Sequence, residues 1–250
     1  MPTKRSTVKR LPKRGHYDRP TIDAILDEAI LCHIGFEVDG QPYVIPSLHA
    51  RVGDVLYLHG SSASRMMKRL ASGVACCVTV TLVDGVVLAR AVFDQSINYR
   101  SVVVLGTARL VDEPAEKLAA LEALTNQLVP GRWADTKPPT RQQLKATSIL
   151  ALPIDEASAK IRTGPPGNYP EDVEEWAGTW TGVLPVRQAV GELVNTQGAG
   201  FFGGEYGPMN LPFPEEAAAA VRPLTRSARR STWARWRLRR KASTFGAAAP

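Results

Sequence analysis

The stretch Tyr57-Leu58-His59-Gly60-Ser61-Ser62-Ala63-Ser64-Arg65 joins a predicted strand to a predicted helix. It places a glycine and a group of hydroxyls directly before a cation at the helix start. Backbone N–H groups, hydroxyls and a guanidinium together form a good pocket for a phosphate. The pattern alone fits equally well with Ser61 or Ser64 acting only as a helix cap, since serine is a preferred cap residue.

Alternating apolar residues on either side of this stretch predict antiparallel strands. Asp18 and Pro20 begin a short amphipathic helix, after which residues 32–38 and 41–51 form a hairpin around Asp39-Gly40. A third short strand over residues 55–58 leads into the quoted stretch, and Met66, Met67 and Leu70 give the following helix an apolar face.

The pattern continues downstream with further strands and one longer helix. Residues 74–83 and 86–93 are predicted to form a second hairpin, turned by Asp84-Gly85. The remaining predicted elements are a strand over 101–111, a helix over 113–128 capped by Asp112, a helical turn over 140–145, and a last strand over 147–154. This order predicts a mainly β fold, an antiparallel barrel of six to seven strands with inserted helices. Closure is inferred because no obvious polar edge strand is present.

The net charge of +7 is concentrated at the two ends of the chain. Residues 1–19 contain seven Lys or Arg and one acid, and residues 217–250 contain nine and none, whereas residues 20–216 carry a net charge of −8. We therefore expect a basic flexible arm over 1–17, a barrel domain over 18–190 and a Gly/Ala/Arg-rich, largely disordered extension over 191–250. Within the acidic segment, no basic cluster for a second phosphate is evident.

Several classes of protein are excluded or disfavoured by composition. No apolar run approaches the roughly 20 residues of a membrane helix, and no apolar segment of signal-peptide length follows the basic start, so a cytoplasmic location is expected. Cys32, Cys76 and Cys77 lie in apolar segments and are interpreted as small buried residues. No histidine or cysteine pair has metal-ligand spacing, so no metal site is expected.

Two further segments are candidates for ligand contact. Asn98-Tyr99-Arg100-Ser101 leads directly into a buried strand, where polar side chains can reach a ligand at the barrel mouth. Tyr43-Val44-Ile45-Pro46-Ser47 is a strand with an internal proline, which removes a hydrogen-bond donor and predicts local unpairing. An ordinary loop and a simple bulge are the alternatives.

Taken together, these motifs resemble the pyridoxamine 5′-phosphate oxidase-like flavoproteins, in particular the flavin-nucleotide-binding branch that includes nitroimidazole-resistance proteins. The resemblance covers about residues 10–187. It is carried by Gln41-Pro-Tyr-Val-Ile-Pro-Ser47, Leu56-Tyr-Leu-His-Gly-Ser61 with Ser64-Arg65, Asn98-Tyr-Arg-Ser-Val102 with Gly106, Val129-Pro-Gly-Arg-Trp133, and Gly182-Val-Leu-Pro185.

The resemblance implies a split β-barrel homodimer that binds FMN between its two subunits. If the phosphate contacts of the family lie at the matching positions of this sequence, Ser61, Ser64 and Arg65 would hold the FMN phosphate. The other implied contacts are His59, Arg100 and Ser101 at the phosphate, Val44, Ile45 and Ser47 along the isoalloxazine ring, and Tyr99 and Trp176 as pocket walls, the last from the partner subunit.

An FMN-dependent oxidoreductase is therefore the leading functional hypothesis. His59 is the one candidate for proton transfer, but contact with the cofactor is favoured because the sequence supplies no partner to tune its imidazole. The alternatives are the same barrel with a deazaflavin (F420) or haem, and a non-catalytic flavin-binding protein whose basic tails bind nucleic acid. Specific oxidation of pyridoxamine phosphate is not inferred, because no basic cluster for a second phosphate is evident in the acidic segment, and the substrate stays open.

Overall fold

The computed structural model of this chain describes residues 2–167 and 169–188. The predicted extension over 191–250 lies outside the described residues. The five α-helices of the described part are α1 Arg19–Glu28, α2 Arg65–Ala71, α3 Pro114–Leu128, α4 Arg141–Ala146 and α5 Pro170–Glu175.

The described residues also form ten strands that belong to one antiparallel sheet. They are β1 Gly15–His16, β2 Leu31–Val38, β3 Gln41–Val52, β4 Val55–Ser61, β5 Ala75–Leu88, β6 Ser96–Thr107, β7 Arg109–Leu110, β8 Thr147–Pro153, β9 Glu156–Arg162 and β10 Gly182–Pro185. Their order is β1-β9-β6-β5-β2-β3-β4-β8-β7, with β10 pairing with β5. The prediction of a mainly β, antiparallel fold is confirmed.

The sheet curls into a barrel, because strands that follow one another in the chain lie far apart in the strand order. β6 lies between β5 and β9, yet after residue 108 the chain continues as β7, which pairs with β8 at the other end of the strand order. Gly106 of β6 lies against Leu152 of β8, so closely that a Cβ at position 106 would be 2.9 Å from the Leu152 Cδ1. This glycine therefore permits the two parts of the sheet to meet.

Two apolar clusters stabilise the barrel. The larger fills the interior and takes in Ile22, Ile25 and Leu26 of α1 and Met67 and Leu70 of α2. The smaller lies under α3, where Ala120 and Leu124 pack on Tyr57, Ile149 and neighbouring residues. Alternate residues of β4 therefore face different clusters: Leu56 and Leu58 belong to the first, Tyr57 to the second.

Local sequence signals at the first helix and hairpin are confirmed. Asp18 caps α1, its side chain accepting a hydrogen bond from the Thr21 N–H at 2.9 Å. Asp39 and Gly40 both adopt left-handed backbone conformations, with φ of 52° and 82°, between β2 and β3. Such a pair matches the twist of a two-residue hairpin, and asparagine, aspartate and glycine tolerate it best.

The second predicted hairpin is wrong. β5 runs without reversal through Asp84-Gly85 and pairs with β6 on both sides of a bulge between Val83 and Gly85. β10 lies against β5 here, and a Cβ at residue 85 would be 2.8 Å from the Val183 Cγ1. Glycine therefore serves close strand packing here rather than a turn, as glycines inside strands often do.

Two other features differ from the prediction. β8 is not the last strand, since β9 and β10 follow it. The cap of α3 is Glu113, whose carboxylate accepts from the Glu116 N–H, and not Asp112. Residues 182–185, which form β10, pair with β5.

The N-terminal segment is held against the sheet, which differs from the flexible arm expected over 1–17. Gly15 and His16 pair with β9, the Val8 N–H donates to the Tyr17 hydroxyl at 2.9 Å, and Arg5 forms an ion pair with Glu156. These contacts could not be predicted from the basic N-terminal sequence, because Glu156 and β9 lie far along the chain and β1 has only two residues.

None of the helices in residues 2–167 and 169–188 has the length and apolar character needed to cross a membrane. The cytoplasmic location stays a prediction from the sequence.

A fully buried histidine makes stability depend on pH. The His49 ring is buried beside α1, with Nε2 2.9 Å from the Leu26 carbonyl oxygen, and burial lowers the pKa of this imidazole. The unfolded chain therefore binds a proton more readily than the folded protein below about pH 6.5.

We expect the free energy of unfolding to fall as the pH drops through this range, and His49→Gln to reduce that dependence. Urea unfolding of both proteins between pH 5 and 8 measures it. Equal slopes against pH for the two proteins would contradict the assignment to His49.

Candidate functional site

The serine segment, residues 61–64, joins β4 to α2 and is held by backbone hydrogen bonds, while the hydroxyls of Ser62 and Ser64 make no hydrogen bond within the described residues. The Ser62 N–H donates to the Ala146 carbonyl at 2.8 Å, and the Ser64 N–H donates to the Ser61 carbonyl at 2.9 Å. The Ser61 hydroxyl accepts from the Ala63 N–H at 3.2 Å. Ser64 stands at the cap position of α2, but its side chain makes no capping hydrogen bond. The interpretation of Ser64 as a simple cap is therefore not supported.

Arg65 extends from this segment onto an aromatic pair. Its guanidinium carbon lies 4.4 Å from the centre of the Tyr43 ring, and Tyr43 stacks on Phe36 with ring centres 5.7 Å apart. No carboxylate within the described residues forms an ion pair with Arg65. A cation held over a ring keeps its outward N–H groups available, so Arg65 is oriented but not neutralised.

β3 presents a free edge beside this arginine. It pairs with β2 over residues 41–48 but with β4 only over residues 49–52, so residues 41–48 have an unpaired second edge in the described structure. Pairing with β2 passes through Pro46, opposite His33, without interruption. The predicted unpairing at Pro46 therefore concerns the outer edge alone, where a missing N–H costs no ladder bond.

The three predicted ring contacts on β3 do not share one face. Ile45 packs against the barrel core and Ser47 lies opposite the buried Cys32, whereas the Val44 side chain is 67% exposed on the other face. Neighbouring residues of a strand point to opposite faces, so only the backbone edge is common to all three.

His59 lies near the serine segment and is half-buried. Its Nδ1 atom is buried and has no hydrogen-bond partner within the described residues. Burial lowers the pKa of this imidazole, which is therefore neutral at pH 7. A neutral ring can donate or accept a hydrogen bond, but it brings no positive charge to a phosphate.

Tyr99, Arg100 and Ser101 lie elsewhere on the sheet. Arg100 is level with Leu82 of β5, whereas Ile34 of β2 is level with Val78, so Arg100 lies towards the opposite end of the sheet from Phe36 and Arg65. The Ser101 hydroxyl donates to the Lys160 carbonyl at 3.2 Å. Within one chain, these residues are not brought to the serine segment.

The Arg100 guanidinium is fully engaged by two carboxylates. It donates to both carboxylate oxygens of Asp84, at 2.8 and 3.0 Å, and to both of Glu28. These hydrogen bonds raise the pKa of Arg100 above its ordinary value. The arrangement ties the C-terminal end of α1 to the bulge in β5.

Two other residues bear on the predicted site, Trp176 and Tyr43. Trp176, just after α5, is 59% exposed. Tyr43 is the residue that sequence reasoning missed as an Arg65 partner. Its alternation with Ile45 on one face of β3 was visible, but its distance of 22 residues from Arg65 gave no local signal.

Within residues 2–167 and 169–188, no group of three His, Cys, Asp or Glu side chains forms a metal site.

A family model described as pyridoxamine 5′-phosphate oxidase matches residues 18–161. The chain belongs to this family. The match includes β2, β3, β4 and the serine segment, so the recognition made from the motifs is confirmed, and the fold is that of the family's split barrels. No curated protein matches the chain.

Solved structures extend the comparison. The flavocytochrome Anf3 from Azotobacter vinelandii is 37% identical, with a TM-score of 0.77, and the match covers 87% of this chain and 97% of that one. The FAD and heme binding protein from Mycobacterium smegmatis is 34% identical, with a TM-score of 0.70 and coverage of 83% and 97%. A protein named for 5-nitroimidazole antibiotic resistance from Bacteroides thetaiotaomicron shares the fold at 21% identity, with a TM-score of 0.51 and coverage of 59% and 86%.

The placement of Arg100 makes a prediction opposite to its assignment from the resemblance. Arg100→Ala should lower the free energy of unfolding by about 1–2 kcal/mol, because it removes charged hydrogen bonds to Glu28 and Asp84. It should leave flavin affinity unchanged, because the guanidinium is already engaged. Urea unfolding and flavin titration of the same variant measure both effects. A lower flavin affinity with an unchanged free energy of unfolding would show instead that Arg100 belongs to the binding site.

Proposed function

We propose that this protein is a flavin-dependent oxidoreductase that holds the phosphate of a flavin nucleotide with Ser61, Ser64 and Arg65. The observation that carries the proposal is Arg65, which is oriented by Tyr43, lacks a carboxylate partner in the described structure and stands beside the unused Ser64 hydroxyl. A phosphate dianion would satisfy both groups with charge-assisted hydrogen bonds.

The free edge of β3 would receive the flavin ring. Backbone groups of residues 44–47 have no strand partner on that side in the described structure, and a heterocycle with donors and acceptors can pair with such an edge. Arg65 and Tyr43 connect the phosphate position to the beginning of this edge. When bound, a flavin supplies hydride or electron transfer, and the chain orients it and limits access by water.

The proposed role of His59 is contact with the flavin rather than proton transfer. Its buried Nδ1 has no partner in the described residues, and no neighbouring carboxylate is present to tune its basicity. A ligand heteroatom near this nitrogen would satisfy it, which removes the cost of an unpaired buried polar atom.

FMN is the flavin that the motifs predict, and one phosphate is all that the serine segment requires. The M. smegmatis relative is named for FAD instead. Heat denaturation of the purified protein, followed by mass measurement of the released flavin, distinguishes the two.

We also propose a homodimer with the flavin at the subunit interface. The outer face of β2 and β3 exposes Leu31 and Val44, 48% and 67% exposed respectively, next to the free edge. Burial of such a face against a second copy is favourable because it removes apolar surface from water. Sedimentation equilibrium should give twice the chain mass of 27.1 kDa.

Arg65→Ala tests the phosphate assignment. The variant should bind FMN more weakly by about 1.5–3 kcal/mol, the usual contribution of a hydrogen bond to a charged group. Fluorescence titration measures the affinity, and riboflavin, which has no phosphate, is the control ligand because its affinity should not change. An unchanged FMN affinity would place the phosphate elsewhere, and a wild-type protein that neither carries nor binds flavin would refute the proposed function.

Haem is a second candidate ligand, since one similar structure is named for heme and another as a flavocytochrome. All four histidines of the chain lie in the described residues. His49 would not fit as an iron ligand, because its ring is fully buried and hydrogen-bonded to the Leu26 carbonyl. His33 would fit: it is exposed on the outer sheet face between Pro46 and Thr79, and its imidazole makes no hydrogen bond within the described structure.

His33→Ala should therefore abolish the Soret band that forms when haemin is added to the purified protein. His16→Ala, on the short strand β1, is the matched control and should retain it. A Soret band of full intensity in His33→Ala would exclude His33 as the ligand.

A further inference from the structure

A second group of cations lies on the side of α2 next to the serine segment. An open cleft of about 390 Å³ is present between this helix and the end of β2. Its lining consists of three cations, a hydroxyl and two small apolar side chains: Arg65, Lys68, Arg69, Ser72, Ala63 and Val38. The sequence-based expectation that the acidic segment holds no basic cluster is therefore wrong. Residues 20–216 carry a net charge of −8, yet three cations lie close together on α2.

Helical spacing directs these side chains into the cleft. Residues 65, 68 and 69 share one face of α2, opposite Met66, Met67 and Leu70, which are buried in the barrel core, and Ser72 follows at the C-terminal cap. The Arg69 Nε donates to the Glu37 carbonyl at 2.9 Å, which orients its guanidinium at the wall formed by β2. Two of the three cations are thus positioned by contacts that leave their charge intact.

The charge of the cleft is not neutralised by the described part of the chain. Several other arginines of the described residues have carboxylate partners, as Arg51 has in Asp23 and Asp27. In the described structure no carboxylate forms an ion pair with Arg65, Lys68 or Arg69. The carboxylate of Glu37, whose carbonyl holds Arg69, accepts from the Gly40 N–H at 2.6 Å instead. Like charges three and four residues apart on a helix repel each other, so this face is destabilising without an anion.

We propose that this cleft binds a second phosphate group, beside the one assigned to Ser61, Ser64 and Arg65. Ala63 lines the cleft and lies between those two serines in the chain, so the two positions are continuous. Lys68 and Arg69 supply the additional charge, and a guanidinium and an ammonium are the groups that proteins use for phosphate. The inference rests on the proposed flavin site for the identity of the first phosphate.

Two sources would present the same chemistry. The second phosphate belongs either to the flavin itself, as the pyrophosphate of FAD, or to a phosphorylated second molecule that exchanges electrons with the flavin, for which NADPH is the probe. Both place a phosphate within reach of Lys68 and Arg69.

The test compares wild type with the double variant Lys68→Gln/Arg69→Gln. Lys9→Gln/Arg10→Gln is the matched control: it removes the same two charges from exposed positions of the N-terminal segment. Affinities for FMN, FAD, NADPH and NADH are measured by fluorescence titration, and inorganic pyrophosphate binding to each protein is measured by calorimetry.

If the phosphate is part of FAD, the cleft variant should lose about tenfold or more in FAD affinity and little in FMN affinity. If it belongs to a second molecule, both flavins should bind as in wild type while NADPH loses about tenfold or more; an equal loss for NADH assigns the cleft to the pyrophosphate that both nucleotides carry, and a loss for NADPH alone assigns it to the 2′-phosphate. Affinities equal to those of the control variant for all four ligands, together with unchanged pyrophosphate binding, would overturn the proposal.

The pyrophosphate measurement separates this inference from the proposed function. A wild-type protein that binds no flavin, but binds pyrophosphate in a manner lost in the cleft variant, would refute the flavin proposal and support the phosphate cleft. A circular dichroism spectrum of the variant like that of wild type establishes that the loss is local.

Discussion

The backbone pairing of β3 is the constraint on which the candidate site depends. This twelve-residue strand pairs with β2 along its first eight residues and with β4 only along its last four. β4 therefore diverges from β3 as it approaches Ser61, and a free edge opens beside the serine segment. An unpaired edge inside a barrel is costly, because its N–H and C=O groups need partners. A ligand with its own donors and acceptors offsets that cost, and the prolines at positions 42 and 46 reduce the number of donors that need one.

The arginines and lysines of the described residues differ in whether a carboxylate pairs with them. Arginines that connect helices to the sheet are paired with carboxylates, as Arg51 and Arg100 are, and these pairs contribute to the structure. The cations of α2 have no such partners within the described residues and face an open cleft. Pairing makes an arginine structural, and the absence of pairing leaves its charge available for a ligand. This difference separates Arg65 from Arg100, which the motifs alone treated as equivalent.

Membership of the family does not determine the ligand. The similar structures carry different names, a flavocytochrome in one case and an FAD and heme binding protein in another, on one barrel. Function in such folds resides in the side chains at the site. In this chain the side chains on which the proposals rest are Ser64, which makes no capping bond, Arg65, which lies over Tyr43, and the exposed His33. Their unused hydrogen-bonding or coordinating capacity supports the ligands proposed for them.

The sequence by itself determined the features that depend on neighbouring residues. Asp18 caps α1, Asp39-Gly40 turns a hairpin, and the motifs identify the family, because capping and turn conformations involve only a few consecutive residues. The tertiary structure alone decided what the same residue types do in contact with distant partners. Asp84-Gly85 is a bulge under β10 rather than a turn, Arg100 is held by Glu28 and Asp84, and Arg65 is held by Tyr43. The physical reason is that such contacts are set by strand register and packing between segments far apart in the chain, which local propensity does not encode.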